Sequence, residues 1–259
     1  MVGDTLGDTL GDTLRVRALF DLPAAHEPSD AELAAPVPAL AAVLFDFSNT
    51  LFHMIGADEW LRRVAADTGR SLDDAEVPAI LTRLEAASRD PEVVEAQHGR
   101  DLDATRHREA MRVWFAREPF LAADPDAAWA RVVAGDSWIP YPDTAPVLTA
   151  LDAAGIPVGV VSDIAWDIRE HAVRAGVDHL VGTWVISGEV GAEKPDPALF
   201  RRACDDLGVD PRATLMVGDN PARDGGAAAL GCRTLVLAGE HRTGERGLFD
   251  VLALLGLES

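Results

Sequence analysis

The chain of 259 residues carries 43 acidic against 23 basic side chains, for a formal charge of −20. That length buries a sizeable core, as one large α/β domain or as a domain with an insertion. The negative balance excludes a general binder of nucleic acid or of anionic membranes, so a small anionic ligand requires a local positive site.

Residues 1–40 differ in kind from the rest. Gly3 to Leu14 is Gly-Asp-Thr-Leu three times over, followed by a stretch rich in Ala, Pro, Asp and Glu up to Pro38. A four-residue period fits neither a strand nor an amphipathic helix, and so short a unit buries no core. The stretch reads as a low-complexity, flexible extension, with a docking tail as the functional alternative.

From Ala41 the pattern changes. Ala41-Ala42-Val43-Leu44-Phe45 is a continuous apolar run that ends in Asp46, as a buried parallel strand delivers a carboxylate to its C-terminal edge. Pro157 to Val161 runs in the same way into Ser162-Asp163, and Ala213 to Val217 into Gly218-Asp219, with a further apolar segment at Thr234 to Ala238. Helical patterns fall at Thr144 to Ala154, Trp166 to Ala175, Pro197 to Leu207 and Pro221 to Leu230, each closed by a glycine. Strands alternating with helices predict an α/β fold with a doubly wound parallel sheet. In such a sheet Asp46, Ser162 and Asp219 converge on one cleft beyond the strand ends.

Between the first two of these strands, residues 55–140 carry no strand signal. Trp60, Val64, Met111, Trp114 and Phe115 stand at helical spacing among Arg and Glu, predicting an inserted helical bundle whose tryptophans are core. Pro140 and Pro142 mark the return to the sheet domain, which then comprises residues 41–54 and 141–259. Arginines of this bundle, among them Arg62, Arg63, Arg100 and Arg108, read as solvated, and none is assigned to a ligand.

Further along stands Lys194, in the run Gly191-Ala192-Glu193-Lys194-Pro195-Asp196-Pro197. Of the 23 basic residues 22 are arginine, and Lys194 is the one lysine. In a chain that otherwise favours arginine, a surviving lysine points to a place where a compact ammonium cannot be replaced by a planar guanidinium. Taken alone, a chance surface lysine is the plainer reading. Cys204 and Cys232 have neither CxxC spacing nor histidine neighbours, and read as reduced, packed thiols. No stretch approaches the roughly 18 apolar residues of a membrane span, and the acidic N-terminus lacks the order of a signal peptide, so a cytoplasmic location is expected.

Four motifs then stand in order: Asp46-Phe47-Ser48-Asn49-Thr50-Leu51-Phe52, Ser162 after its strand, Lys194 before Pro195, and Gly218-Asp219-Asn220-Pro221-Ala222-Arg223-Asp224. Together they resemble the haloacid dehalogenase-like hydrolase superfamily, over roughly Ala41 to the C-terminus. The resemblance implies a Rossmann-like core with residues 55–140 as a helical cap of the first type, which closes over the site and selects the substrate. It implies Asp46 as nucleophile and Lys194 as the charge between it and a phosphoryl group. It implies a Mg2+ site of Asp46, the Ser48 carbonyl, Asp219 and Asp224, although Asp224 also reads as an acid of the following helix. Ser162, Thr50, Asn49 and Lys194 would bind the phosphate of a small phosphorylated substrate.

One position departs from the pattern. Phosphatases of the family carry a second aspartate two residues after the nucleophile as acid and base, and here that position is Ser48. A hydroxyl titrates too high for the task, and such a group contributes about 10²–10⁴-fold. The substrate then has a good leaving group, a Glu or a His such as His53 takes over, or activity is weak. The usual glycine is replaced by Asn49, a mild change because Asn tolerates left-handed backbone. Mg2+-dependent hydrolysis of a small phosphate ester or anhydride is the function expected. Carbon–halogen hydrolysis and a weakly active phosphate-binding relative are the alternatives.

Overall fold

The computed structural model describes residues 37–237 and 244–257. The Gly-Asp-Thr-Leu repeats, and most of the extension expected over residues 1–40, lie outside the described residues. Strand β1 (Ala42–Phe45) leads through a turn to β2 (Phe52–Met54). Helices α1 (Ala57–Asp67), α2 (Val77–Ala87), α3 (Pro91–Ala96), α4 (Ala104–Phe115), α5 (Pro119–Ala122) and α6 (Pro125–Val133) follow, with a 3₁₀ turn at Arg100–Leu102. The chain returns through β3 (Trp138–Pro140) and α7 (Thr144–Ala153) to β4 (Val158–Ser162), then α8 (Arg169–Ala175) and β5 (Thr183–Ile186). Short α9 (Ser187–Val190), α10 (Pro197–Leu207), β6 (Thr214–Gly218), β7 (Arg233–Val236) and α11 (Phe249–Leu254) complete it.

Strands β5-β4-β1-β6-β7 form one parallel sheet in that order, so the α/β architecture is the one expected. All four residues of β1 are buried, because a central strand with helices on both faces has no side left for polar groups. Crossovers run from β1 outward through β4 to β5, then return to β6 and β7 on the other side. The switch in direction lies beside β1, where an open sheet leaves a crevice.

Aspartates set where helices begin. Asp90, Asp124 and Asp196 each precede a proline and accept a backbone N–H of the first turn of α3, α6 and α10. An Asp cap with Pro at the first helical position satisfies one orphan donor where another is already missing. Part of the acid excess is therefore structural. Between β2 and β3, Trp60, Leu61 and Val64 of α1 pack with Met111, Trp114 and Phe115 of α4 in a cluster separate from those of the sheet. Trp114 Nε1 donates to Leu84 O at 2.8 Å, which satisfies the one polar atom of that buried ring. Trp166 packs against both this cluster and that of the sheet.

Three local expectations change. Strand β5, on one edge of the sheet, was not anticipated from its short run Thr183-Trp184-Val185-Ile186. The segment 55–140 was expected to lack strand signals, yet β3 at its end pairs antiparallel with β2, Phe52 opposite Pro140. Three-residue strands that contain Pro and His give too little alternation to read. The expected helix Pro221 to Leu230 is instead a 3₁₀ helix from Asp224 to Leu230. The Asn220 side chain accepts the N–H of Ala222 and Arg223 and holds the preceding residues in a turn. Among the described residues no helix is long and apolar enough to cross a membrane. Cys204 and Cys232 are free and buried.

The C-terminal segment is tied to the sheet domain by one carboxylate. Buried Asp143 accepts the backbone N–H of Arg246 at 3.0 Å and those of Gly247 and Leu248 at 2.8 Å each. Asp143→Ala strands three donors, so thermal unfolding should show a loss of about 2–4 kcal/mol, against less than about 0.5 kcal/mol for the exposed Asp152→Ala.

Candidate active site

The sheet brings the first and last motifs together at its carboxyl edge. Phe45 is level with Val217, so Asp46, one residue beyond β1, lies beside the end of β6, and its N–H donates to Val217 O at 2.9 Å. The chain then folds back at once. Phe47 O accepts from Leu51 at 3.0 Å and Phe52 at 2.9 Å, and Asn49 stands at φ 56°. A left-handed residue is required there, and Asn is the side chain that tolerates it where glycine is missing. Arg246, buried beside Tyr141, donates from Nε to Asn49 O at 2.5 Å and fixes that turn from the far end of the chain. Thr50 is buried, and its Oγ1 has no hydrogen-bond partner among the described residues.

Lys194 stands at the centre. Its side chain is 3% exposed, with Nζ 2.9 Å from Asp46 Oδ1 and 2.6 Å from Asp224 Oδ1. Burial alone would push the ammonium pKa down, but Asp224, Asp46 and Asp163 more than offset this and hold the proton firmly. Asp224 is aimed by its own loop, since Oδ2 accepts the Asn220 N–H at 2.9 Å. Gly218 makes room for it: a Cβ there would overlap the Asp224 carboxylate. Asp46, Asp219 and Asp224 each place a carboxylate oxygen within 4.8 Å of the others. Burial pushes the Asp46 pKa up to about 7, with Lys194 pulling it down and Asp224 and Asp219 pushing it higher. One ammonium does not neutralise three carboxylates.

The remaining expected residues fall around this cluster. Ser162 is buried at the end of β4, the strand next to β1. Ser48 is half-buried and forms a bridge with Phe52. His53 lies on β2, its Nδ1 3.1 Å from Met54 O and its ring 4.9 Å from that of Tyr141. Two residues had no role assigned to them in advance. Asp163 Oδ1 accepts the Lys194 backbone N–H at 2.8 Å, and Asp163 Oδ2 accepts from Arg223 Nη1. Their position directly after Ser162 and inside the fourth motif was the available signal.

The family model for haloacid dehalogenase-like hydrolases matches residues 40–231. This chain is a haloacid dehalogenase-like hydrolase. It is 33% identical over 196 residues to a glyceraldehyde 3-phosphate phosphatase of Methanopyrus kandleri, covering 71% of this hydrolase and 78% of that protein. It is 32% identical over 232 residues to a phosphoglycolate phosphatase of Rhodospirillum rubrum, covering 83% and 89%. A defluorinating L-2-haloacid dehalogenase has the same fold, with a TM-score of 0.63 at 21% identity over 84% of this chain and 95% of that one.

The charge imbalance has a measurable consequence. An acid whose native pKa lies above its unfolded value of 3.8 costs stability as pH rises between the two, here toward pH 7. Without metal at pH 7.5, Asp46→Asn should therefore unfold later than wild type, by roughly 2–4 kcal/mol, in thermal or urea melts with EDTA. A variant less stable than wild type would show that Lys194 outweighs the desolvation of Asp46 and the repulsion from Asp224 and Asp219.

Proposed function

We propose that this hydrolase is a Mg2+-dependent phosphatase that transfers the phosphoryl group of a small phosphate ester or anhydride to Asp46. The observation that carries the reading is the buried ammonium of Lys194 shared between Asp46 and Asp224, with Asp219 alongside. The glyceraldehyde 3-phosphate and phosphoglycolate phosphatases described above match over most of their length, which supports the same reaction class.

The donor set fits a hard divalent cation. Three carboxylates converge within 4.8 Å and carry more negative charge than Lys194 balances, and magnesium takes oxygen ligands of this kind. Asp46, Asp219, Asp224 and the Ser48 carbonyl would hold it. When bound, Mg2+ neutralises charge on the phosphoryl oxygens. An Asp46 oxygen attacks phosphorus as the bond to the leaving oxygen breaks, giving an aspartyl-phosphate, and water then cleaves the new P–O bond to release phosphate and restore Asp46. Lys194 holds the attacking carboxylate in place and offsets the charge that gathers between it and the phosphoryl group. The Thr50 hydroxyl, without a partner among the described residues, and the strand-end Ser162 would donate to the phosphate together with Asn49 and Lys194. The leaving oxygen departs without a proton from residue 48, so aryl and acyl phosphates suit this site better than alkyl esters.

With p-nitrophenyl phosphate and Mg2+, wild type should turn over, and EDTA or Asp46→Asn should abolish the reaction. Lys194→Arg keeps the charge but not the shape, and should lower kcat by about 10²-fold or more, the usual effect of losing a preorganised group at the developing charge. Ser48→Asp should raise kcat/KM on an alkyl phosphate by about 10²-fold, by supplying the missing acid and base. The absent carboxylate at residue 48 is the observation that favours a second reading, carbon–halogen hydrolysis. Halide release from a 2-haloacid in EDTA, with no phosphate release in Mg2+, would replace the first reading by the second.

A further inference from the structure

Lys194 has a positional problem that its own contacts do not solve. It follows β5 and α9, and β5 is separated from β1 by β4 in the sheet. Neighbouring strands lie about 4.8 Å apart, so its loop starts roughly 10 Å to the side of the strand that carries Asp46. Something over β4 has to hold the loop within reach. The residue there is Asp163, next after Ser162 at the end of β4.

Asp163 joins three connections with one carboxylate. Oδ1 accepts the backbone N–H of Lys194 at 2.8 Å, and Oδ2 takes a charge-assisted bond from Arg223 Nη1. Arg223 stands immediately before Asp224, the second anchor of Lys194. The pair is little exposed, 8% for the Asp163 side chain and 18% for that of Arg223, so neither charge is easily left alone. Beneath the same junction Gly226 has no space for a Cβ, because Pro195, next after Lys194, packs directly on it. The lysine loop and the loop that carries Asp219 and Asp224 are thus fastened both to each other and to β4.

We infer that the Asp163–Arg223 pair is a positioning clamp that sets the Lys194 ammonium against Asp46 and fixes the distance between the lysine loop and the Asp219–Asp224 loop. Asp163 and Arg223 need not touch the substrate. They act through Lys194 and Asp224. The assay of this inference rests on the phosphatase reading, but its spectroscopic test does not.

Because the chain has one lysine, labelling with [15N]lysine gives one backbone amide resonance, that of Lys194. Asp163→Ala should move it upfield, as its acceptor is lost. Arg223→Gln should also move or broaden it, although Arg223 donates to Asp163 and not to Lys194. With p-nitrophenyl phosphate, each of Asp163→Asn and Arg223→Gln should lower kcat by about 10²-fold, the scale of an ångström of misplacement, with KM changed less than about threefold. Each single change takes from a little-exposed charge its ion-pair partner, whereas Asp163→Asn with Arg223→Gln removes both charges and keeps an amide oxygen for the Lys194 N–H. The double variant should therefore recover at least about tenfold in kcat over either single one. An Arg223→Gln protein with the Lys194 amide unmoved, or single losses that multiply in the double variant, would overturn the clamp. If wild type does not hydrolyse the ester, the phosphatase reading fails and the amide resonance alone decides. Should Arg223→Gln not fold, Arg223→Lys keeps the charge and loses the fork; its added lysine follows Ala222, so [13C′]alanine labelling identifies that second amide and leaves the Lys194 resonance readable beside kcat.

Discussion

A single buried ammonium facing three carboxylates is the constraint on which the rest of this hydrolase depends. Lys194 lies between Asp46 and Asp224, and Asp219 adds a third negative group within 4.8 Å. Among groups this little exposed such an excess of negative charge is expensive. Lysine meets the demand because its charge is compact. On the phosphatase reading, a guanidinium reaching the same two oxygens would spread over the space that the phosphoryl group needs. The site is thus built against its own stability, which is a usual trade at a catalytic centre.

The sheet makes the crowding unavoidable. β1 and β6 are hydrogen-bonded neighbours, and strand spacing of about 4.8 Å brings groups at their carboxyl ends within one ligand's reach. Asp46 follows Phe45 directly, and Asp219 follows Gly218 at the end of β6, so no loop length separates either carboxylate from its strand. Rigidity at Asp46 and Asp219 comes from the ladder itself. The lysine and Asp224 sit on loops and need other support, which the Asn220 turn, Gly218 and the Asp163 carboxylate provide.

What could be read in advance follows this division. β1, β4 and β6 end in residues whose chemistry contradicts the apolar run before them, and such a contrast is visible in any linear reading. The helix Pro197–Leu207 was legible to the residue because Asp196 caps it, proline opens it and Gly208 closes it. Lys194 stood out by composition. Asp163 and Arg223 did not, because a polar residue after a strand and an arginine in a turn are ordinary, and only folding sets them against each other across 60 positions. Arg246 was still less accessible, since its bond to Asn49 O spans 197 positions. Its worth depends on a turn geometry at Asn49, φ 56°, that residue types only suggest.

Ser48 completes the physical picture of what this site can do. On the phosphatase reading proposed above, the groups around it favour making the phosphoryl–aspartate bond: Asp46 as nucleophile, the Lys194 cation beside it, and carboxylates suited to a metal. Nothing at residue 48 can hand a proton to the departing oxygen, because a serine hydroxyl gives up its proton only far above neutrality. Positioning and charge are intact while acid–base chemistry is not. Such a site discriminates by the pKa of the leaving group more than by its shape, since an oxygen stable as an anion needs no donor. On the same reading, Ser48 also bears on the second half of the reaction, where water would have to lose a proton to attack a phospho-aspartate. A base for that step has to come from outside residue 48. Asp46 regains its carboxylate only as the step ends, so on this reading it cannot itself be that base.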